Sequence, residues 1–230
     1  MKIGYLDCFS GISGDMCLGA LVGAGVDFDL LRAYLDKLPL DGWQIRRESV
    51  RRRGLAAENS VVEVSGEKQP ERHLGDIEKI IETSDLPEEV REKSMAVFRC
   101  LAQAEARVHG IGVEEVHFHE VGAVDAIIDV VGTVTGFFLL GAEKLYASPL
   151  PVGRGFVRCQ HGLVPTPAPA TLEILKNAPV YGTAIEAELV TPTGAALAAT
   201  LADGFTPYPS MVVTTVGYGA GKTDLDHPNV

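Results

Sequence analysis

The sequence predicts an α/β protein in which a mixed sheet is flanked by helices, and three observations support this class. Short segments rich in β-branched residues alternate with longer segments of helical periodicity along the chain. A strand, a loop and a helix follow one another near the start, at residues 2–22, and again at 188–201. The apolar spacing of residues 70–110 indicates a helical hairpin inserted between strands. We expect one α/β domain over residues 1–230.

The individual elements follow from apolar spacing and end signals. Strands are predicted at residues 2–7, 43–50, 59–64, 145–148 and 211–216, and helices at 27–38, 87–108, 122–140, 170–176 and 195–201. Pro39 ends the first of these helices, because proline cannot continue a helix. Glu88 and Glu89 lie at the start of the second, where the helix dipole favours negative charge.

Composition excludes several function classes. The formal net charge is −11, so general affinity for nucleic acid is not expected. The four cysteines form no CxxC pair, which favours a reducing, cytoplasmic environment over a disulfide scaffold. The longest apolar run, 123–142, contains Asp125 and Asp129, and two carboxylates make a membrane span costly.

The segment 116–125 carries the densest set of potential metal ligands. His117, His119, Glu120 and Asp125 lie within nine residues of an otherwise apolar stretch. Nitrogen and oxygen donors in an apolar frame suit a divalent metal. On a strand both imidazoles would point to one face. For either histidine alone, a hydrogen-bonded position in a buried strand is the simpler interpretation, whereas the whole cluster favours a metal or catalytic site.

Asp125 and Asp129 are four residues apart in the predicted helix that follows, so they share a face. A buried carboxylate without a partner costs several kcal/mol. We therefore expect both to have partners, namely backbone N–H groups, the nearby histidines or a metal.

A Gly/Ser loop at residues 8–16 follows the first strand and precedes a helix. Such a loop can hold a phosphate at the helix N-terminus, although no lysine follows its second glycine as a Walker motif requires. Asp7 and Asp15 flank the loop and could hold a metal–nucleotide pair. The alternative is a tight turn capped by Ser13 or Asp15. The candidate phosphate-binding residues here are Ser10, Gly11, Ser13 and Gly14.

Three other loops carry candidate residues. Arg154 lies between two glycines, which allow close approach to an anion. His161 lies in a rigid loop before a proline-rich segment and is a candidate ligand or acid–base group. Thr191 and Thr193 precede a helix and could contact phosphate; simple helix capping is the alternative.

Six motifs, in order and spanning nearly the whole chain, resemble the nickel insertion protein LarC family. They are YLDCFSGISGDM at 5–16, HLGDI at 73–77, HFHEVGAVD at 117–125, SPLPVG at 148–153, HG at 161–162 with the proline-rich segment after it, and TPTG at 191–194. The resemblance implies a nickel chelatase, or cyclometallase, of the lyase class. Such an enzyme inserts Ni(II) into pyridinium bisthiocarboxylate mononucleotide and so completes the nickel-pincer cofactor of lactate racemase-type enzymes.

The resemblance also implies cofactors and partners. Family members use CTP with Mg(II) or Mn(II), and are longer, with a C-terminal domain associated with CTP binding. The chain is therefore expected to be the N-terminal part of a longer protein. The expected partners are the thiolated mononucleotide, the apo form of a lactate racemase-type enzyme and further copies of the chain in a homo-oligomer, with no nucleic acid and no membrane.

The residues themselves suggest how the reaction would proceed. We expect His117, His119, Glu120 and Asp7 to hold nickel, and Asp15, Asp125 or His161 to take the ring proton as the carbon–nickel bond forms. Alternatives are a Mg/Mn-dependent phosphohydrolase or nucleotidyl transferase using Asp7, Asp15 and Asp125, a non-catalytic nickel metallochaperone, and a scaffold whose histidines are structural.

Overall fold

Within residues 1–65, 72–118, 122–159 and 162–230, which the computed structural model describes, the chain forms seven α-helices and eleven strands. The helices are α1 (Gly14–Gly23), α2 (Phe28–Leu35), α3 (Leu74–Glu82), α4 (Glu88–His109), α5 (Val124–Leu140), α6 (Pro169–Ile174) and α7 (Pro192–Leu201). The strands are β1 (Ile3–Leu6), β2 (Trp43–Arg52), β3 (Leu55–Val64), β4 (Arg72–His73), β5 (His117–Phe118), β6 (Lys144–Ala147), β7 (Leu150–Val152), β8 (Phe156–Cys159), β9 (Gly162–Pro165), β10 (Val180–Gly182) and β11 (Gly204–Phe205). The predicted α/β class is confirmed.

The strands are divided among several sheets. A parallel sheet has the order β1-β6-β11, with Tyr5 opposite Tyr146 and Phe205 opposite Ala147. β10 pairs with β7 in parallel, and β2 with β3, β4 with β5 and β8 with β9 pair antiparallel. Parallel strands need crossover connections, and helices supply them here.

Helix α5 lies at the centre of the core. It is apolar on nearly all sides, and such a helix is stable only when other elements surround it. Helices α1, α2, α4 and α7 pack against it. Neither α5 nor any other helix in the described ranges is long and apolar enough to cross a membrane.

The predicted helical hairpin is present as α3 and α4. Val97, Phe98 and Leu101 of α4 are fully buried, and this helix packs on α5, α6 and α7. Gly110 ends α4 in the left-handed conformation, at φ 67°. The hairpin is therefore part of the core and not a separate lobe.

The prediction of a strand at residues 211–216 is wrong. This segment contains neither helix nor turn, as its valines and threonines suggest, but it pairs with no strand among the described residues. Val212 is 87% exposed and Val216 is 55% exposed. A β-branched sequence favours extended backbone, whereas a strand also requires a neighbour to complete its hydrogen bonds.

Residues 217–230 pack on α1 and on the β2–β3 hairpin. Gly217 and Gly219 lie so close to α1 that a Cβ on either would overlap the carbonyl oxygen of Ala20 or Met16. The guanidinium groups of Arg52 and Arg53 donate to the carbonyl oxygens of Gly221 and Leu225. These contacts fix the last segment of the chain against the first helix.

The N-terminus of α7 packs directly on the loop between β1 and α1. Ile12 N–H donates to Leu189 O at 2.9 Å, and Thr191 N–H donates to Ile12 O at 3.1 Å. A Cβ on Gly194 would overlap the Ile12 carbonyl oxygen, so only glycine allows this approach. Gly11, at φ 108°, packs equally closely on Leu189.

We expect Gly194→Ala to lower the free energy of unfolding by about 3 kcal/mol, because the added methyl group must displace the Ile12 backbone. The matched control is Gly75→Ala, also in the first turn of a helix but with open space around its Cα. There alanine should raise the free energy of unfolding by up to about 1 kcal/mol through helix propensity. Urea denaturation measures both, and equal effects would contradict the packing argument.

Candidate functional site

Asp15 lies in the first turn of α1 and is held by three donors. The residue is buried, with a side chain that is 12% exposed. The Ser13 hydroxyl and the Met16 N–H, the latter at 3.0 Å, both donate to Oδ1. The Nζ of Lys222 lies 3.2 Å from Oδ2. The Asp15 charge is the main reason why the pKa of Lys222 is raised, so this lysine is a cation at neutral pH.

Asp129 of α5 lies against the same loop. A Cβ on Gly14 would be 2.8 Å from Asp129 Cβ and 3.2 Å from Thr193 Cγ2, so the absent side chain makes room for this carboxyl group. Burial raises the pKa of Asp129 well above its ordinary value, and the negative charge of Asp15 adds to the effect, while Lys222 partly opposes it. The folded protein thus favours a proton on Asp129.

We refer to Asp15, Asp125 and Asp129, with Lys222 beside them, as the acidic recess. Asp125 lies one turn before Asp129 and is exposed, and its charge also contributes to the raised pKa of Asp129. Neighbouring carboxylates favour binding of either a proton or a cation, because each reduces their mutual repulsion. The recess is therefore suited to accept and hold a proton.

Two histidines face each other across the β4–β5 pair. His73 and His117 are direct partners in the register, and their ring centroids are 3.9 Å apart at an interplanar angle of 51°. His73 Nδ1 lies 3.0 Å from Val116 O, and since a carbonyl can only accept, Nδ1 carries the hydrogen. A neutral His73 therefore presents an unprotonated Nε2, which is the arrangement of a metal-binding histidine.

The side chains of β5 alternate as predicted: His117 is exposed and Phe118 is buried. Gly122 packs against Phe118, and Arg72 Nη1 donates to Gly122 O at 2.6 Å. Helix α5 starts two residues later, with Asp125 in its first turn. The histidine pair and the acidic recess therefore lie along the same end of α5.

Three of the predicted site residues, His119, Glu120 and His161, lie outside the described residues. Among those that are described, no group of three or more His, Cys, Asp or Glu side chains is arranged to hold a metal. Among the described residues, His73 and His117 therefore form a pair without a third such side chain placed to complete a metal site.

The predicted phosphate loop uses its polar groups within the protein. The Ser10 hydroxyl is buried and makes hydrogen bonds with His227 Nε2 at 2.9 Å and with Asn229 Oδ1 at 3.2 Å. Gly11 packs on Leu189, as described above. At the other predicted phosphate position, Thr191 caps α7, because its Oγ1 accepts from Gly194 N–H at 3.1 Å.

Two other predicted residues lie elsewhere. Arg154 is exposed and pairs with Glu186 at 3.3 Å. Asp7 is exposed at the end of β1. The pKa values of Tyr5 and Tyr181 are raised mainly by the burial of these tyrosines, and the charge of Asp7 adds to the effect. None of the described contacts of the acidic recess includes either residue.

Two residues of this region, His73 and Lys222, were not predicted as site residues, and Asp129 was expected only to have a partner, together with Asp125. His73 and Lys222 lie within conspicuous strings, HLGDI and GYGAGKT, and Asp129 shares a helix face with Asp125. Those signals mark the residues but do not indicate which distant groups they meet.

The fold and the site together define an α/β protein with a histidine pair just before α5 and a carboxyl cluster that includes the first two turns of that helix. The sequence model of the nickel insertion protein family matches residues 4–230, and the chain belongs to this family.

Curated relatives agree with this assignment. Two proteins of Desulfitobacterium hafniense, from strains DCB-2 and Y51, are 53% and 52% identical over the whole chain, which covers 57% of each. Both are named pyridinium-3,5-bisthiocarboxylic acid mononucleotide nickel insertion protein. A Geobacter metallireducens relative is 50% identical, with 60% of its length covered. The chain thus spans about three fifths of the length of these relatives, and no solved structure matches it.

The Asp129→Asn variant tests the protonation of the recess. Because the folded state raises the pKa of Asp129, the native protein binds this proton more tightly than the unfolded chain. Stability is therefore lost as pH rises above the ordinary Asp pKa of about 4. Asparagine cannot ionise, so the variant should gain stability over the parent as pH rises from 4 to 8.

Urea midpoints measured across this pH range check the expectation. Asp41→Asn, which removes one carboxylate from an exposed turn, is the control and should show no such trend. A constant difference between the Asp129→Asn variant and the parent at all pH values would contradict the raised pKa.

Proposed function

We propose that this chain forms the nickel- and proton-handling part of an enzyme that inserts Ni(II) into pyridinium bisthiocarboxylate mononucleotide. The observation that carries the proposal is that the β4–β5 pair with His73 and His117 packs on Gly122, just before α5, and that Asp129, a carboxyl group with a raised pKa, lies in the second turn of that helix. Membership of the nickel insertion protein family and the names of the Desulfitobacterium relatives support it. The reaction would class the protein as a nickel chelatase, a lyase.

Nickel, as substrate, is proposed to bind first at the histidine pair. Because His73 Nδ1 donates its hydrogen to Val116 O, the lone pair of its Nε2 is available to a metal, and the exposed His117 faces it. Imidazole nitrogen suits Ni(II) better than it suits Mg(II). His119 and Glu120 remain proposed as further ligands, and the open positions are left for the sulfur atoms of the nucleotide. Asp7, at the end of β1, is not included in this nickel site.

Formation of the carbon–nickel bond requires a base. As the ring C–H bond breaks, its electron pair goes to nickel and its proton goes to the base. Asp129, in its deprotonated carboxylate form, is proposed for this role, because a carboxylate with a raised pKa binds a proton more strongly than an ordinary one. Burial, and after it the charge of Asp15, keeps that pKa high, and Asp125 and His161 remain proposed as alternative bases.

The mononucleotide phosphate is proposed to bind at Lys222. The ammonium group of Lys222 is largely exposed beside the recess, whereas Ser10 and Thr191 already donate or accept within the protein. Thr193 lies next to Gly14 at the same place and could add a hydroxyl group. A phosphate there would hold the pyridinium ring over the carboxyl groups.

CTP with Mg(II) or Mn(II) does not fit the described loop, because the Ser10 hydroxyl and the Gly11 backbone are occupied by packing. We assign no step to this nucleotide and propose that its use belongs to the part of the longer relatives that the chain does not cover. Supply of the finished cofactor to a lactate racemase-type enzyme, a homo-oligomeric state and a cytoplasmic location complete the proposal.

Removal of both imidazoles tests the nickel site. We expect the His73→Ala/His117→Ala variant to bind Ni(II) at least tenfold more weakly by isothermal titration calorimetry. His109→Ala, which removes a histidine from the C-terminal end of α4 and not from the β4–β5 pair, should leave the affinity unchanged. Unchanged affinity in the double variant would show that these two residues are not nickel ligands.

Asp129→Asn tests the base. Loss of a general base lowers the rate of the proton-transfer step by about 10²- to 10⁴-fold. We expect the rate of the nickel-dependent absorbance change of the thiolated nucleotide to decrease by a factor in this range, while the affinity for Ni(II) stays unchanged. Asp41→Asn is the control and should leave this rate unchanged. A parent protein that binds nickel and leaves the nucleotide unaltered would instead be a metallochaperone.

A further inference from the structure

A cavity of about 1030 Å³ lies between β1, α1 and the segment 208–219, away from the histidine pair. All of β1 lines one side, and residues 210–219 line the other. Apolar side chains from both sides and from α1 face the space, among them Tyr5, Leu21, Tyr208 and Val213. A space of this size is at the upper end of the range for small-molecule pockets.

One wall of the cavity is an unpaired sheet edge. β1 is the last strand of its sheet and pairs only with β6 among the described residues. The carbonyl oxygens of Lys2 and Leu6 accept from Glu143 and Ser148, so even-numbered residues direct their backbone groups toward β6. Successive residues alternate. Ile3 and Tyr5 therefore direct their N–H and C=O groups into the cavity.

The opposite wall is a strand-like segment without a partner. Residues 211–216 have the β-branched composition of a strand, but they make no ladder within the described chain. Both ends of the segment are anchored: Tyr208 packs on Tyr5 at 4.8 Å between ring centroids, and Thr215 Oγ1 donates to Ala24 O at 2.8 Å. The middle of the segment thus stands apart from β1, with the cavity between them.

We infer that the cavity binds an additional β-strand. This strand would be an extended polypeptide segment with apolar side chains at alternate positions. Such a strand would satisfy the outward N–H and C=O groups of Ile3 and Tyr5, and its other edge would give residues 211–216 the partner that they lack. A small molecule would fill volume but could not satisfy two parallel rows of backbone groups.

The source of the strand follows from the comparison with relatives. The chain covers 57% of the Desulfitobacterium proteins, so these contain a large part with no counterpart among the 230 residues. We assign the inserted strand to that part. This inference concerns the edge of the sheet and not the histidine pair or the acidic recess. The nickel proposal and the added strand can therefore each fail without affecting the other.

The test uses the 230-residue chain and synthetic peptides that tile the uncovered part of the Desulfitobacterium DCB-2 relative. Amide hydrogen exchange is followed residue by residue. We expect one peptide, or a set of overlapping ones, to slow exchange at Ile3 and Tyr5 and within residues 211–216 by at least tenfold. Exchange at the amide of Gly4, which already faces β6, should change much less.

N-methylation of the active peptide provides the control. A strand that pairs at one edge only uses every second N–H group in its ladder. Methyl groups on that set of amides would abolish its binding, and methyl groups on the other set would be tolerated. Since residues 211–216 form a second edge, we expect both methylated peptides to lose at least tenfold in affinity. Tolerance of either set would overturn insertion between two edges.

Three further outcomes would overturn the inference. The first is that no peptide protects Ile3 and Tyr5. The second is protection confined to residues 208–219, which indicates a surface contact and not a strand. The third is protection that arises in the chain alone and grows with its concentration, which would assign the edge to a second copy.

Discussion

The arrangement of the acidic recess depends on direct backbone contact between the loop after β1 and the start of α7. Gly11 and Gly194 remove the side chains that would separate Ile12 from Leu189 and from α7. Gly14 does the same for Asp129. Because of these three glycines, α1, α5 and α7 converge on one point, and the carboxyl groups of Asp15 and Asp129 come together there. Larger residues would separate the helices before they altered any charge.

The same contact creates an electrostatic conflict. Two carboxyl groups in a partly buried place repel each other, and Lys222 compensates Asp15 more directly than it compensates Asp129. A fold selected only for stability would have an amide or an apolar residue at position 129. Retention of a carboxyl group where the structure disfavours its charge is typical of residues that transfer protons.

The sequence predicts the local part of this structure well. The hairpin β2–β3 and the helices α4 and α5 follow from spacing that is contained within each segment, and the exposure of His117 with burial of Phe118 follows from strand alternation. The segment 211–216 shows the limit of such reasoning. The predicted extended backbone is correct, but a strand requires two paired segments. Within the part of the chain that the structure describes, no second segment pairs with this one.

The composition of the site was less predictable for the same reason. His73 meets His117 through a pairing of two short strands that are separated by the whole α3–α4 hairpin. Asp15 and Asp129 meet because a glycine without a side chain lies between them, and no periodicity encodes that contact. For Ser10 and Thr191 the sequence left open whether the hydroxyl group holds a ligand or its own loop, and the structure shows hydrogen bonds within the protein for both.

The contact between Lys222 and Asp15 joins positions 207 residues apart. During synthesis, the ribosome must therefore release nearly all of the 230 residues before the recess can acquire its cation. The histidines at 73 and 117 emerge much earlier, but at that stage the lysine that balances the carboxyl charge has not yet been made. A chain made only as far as His117 thus has both imidazoles but lacks the lysine that lies beside Asp15.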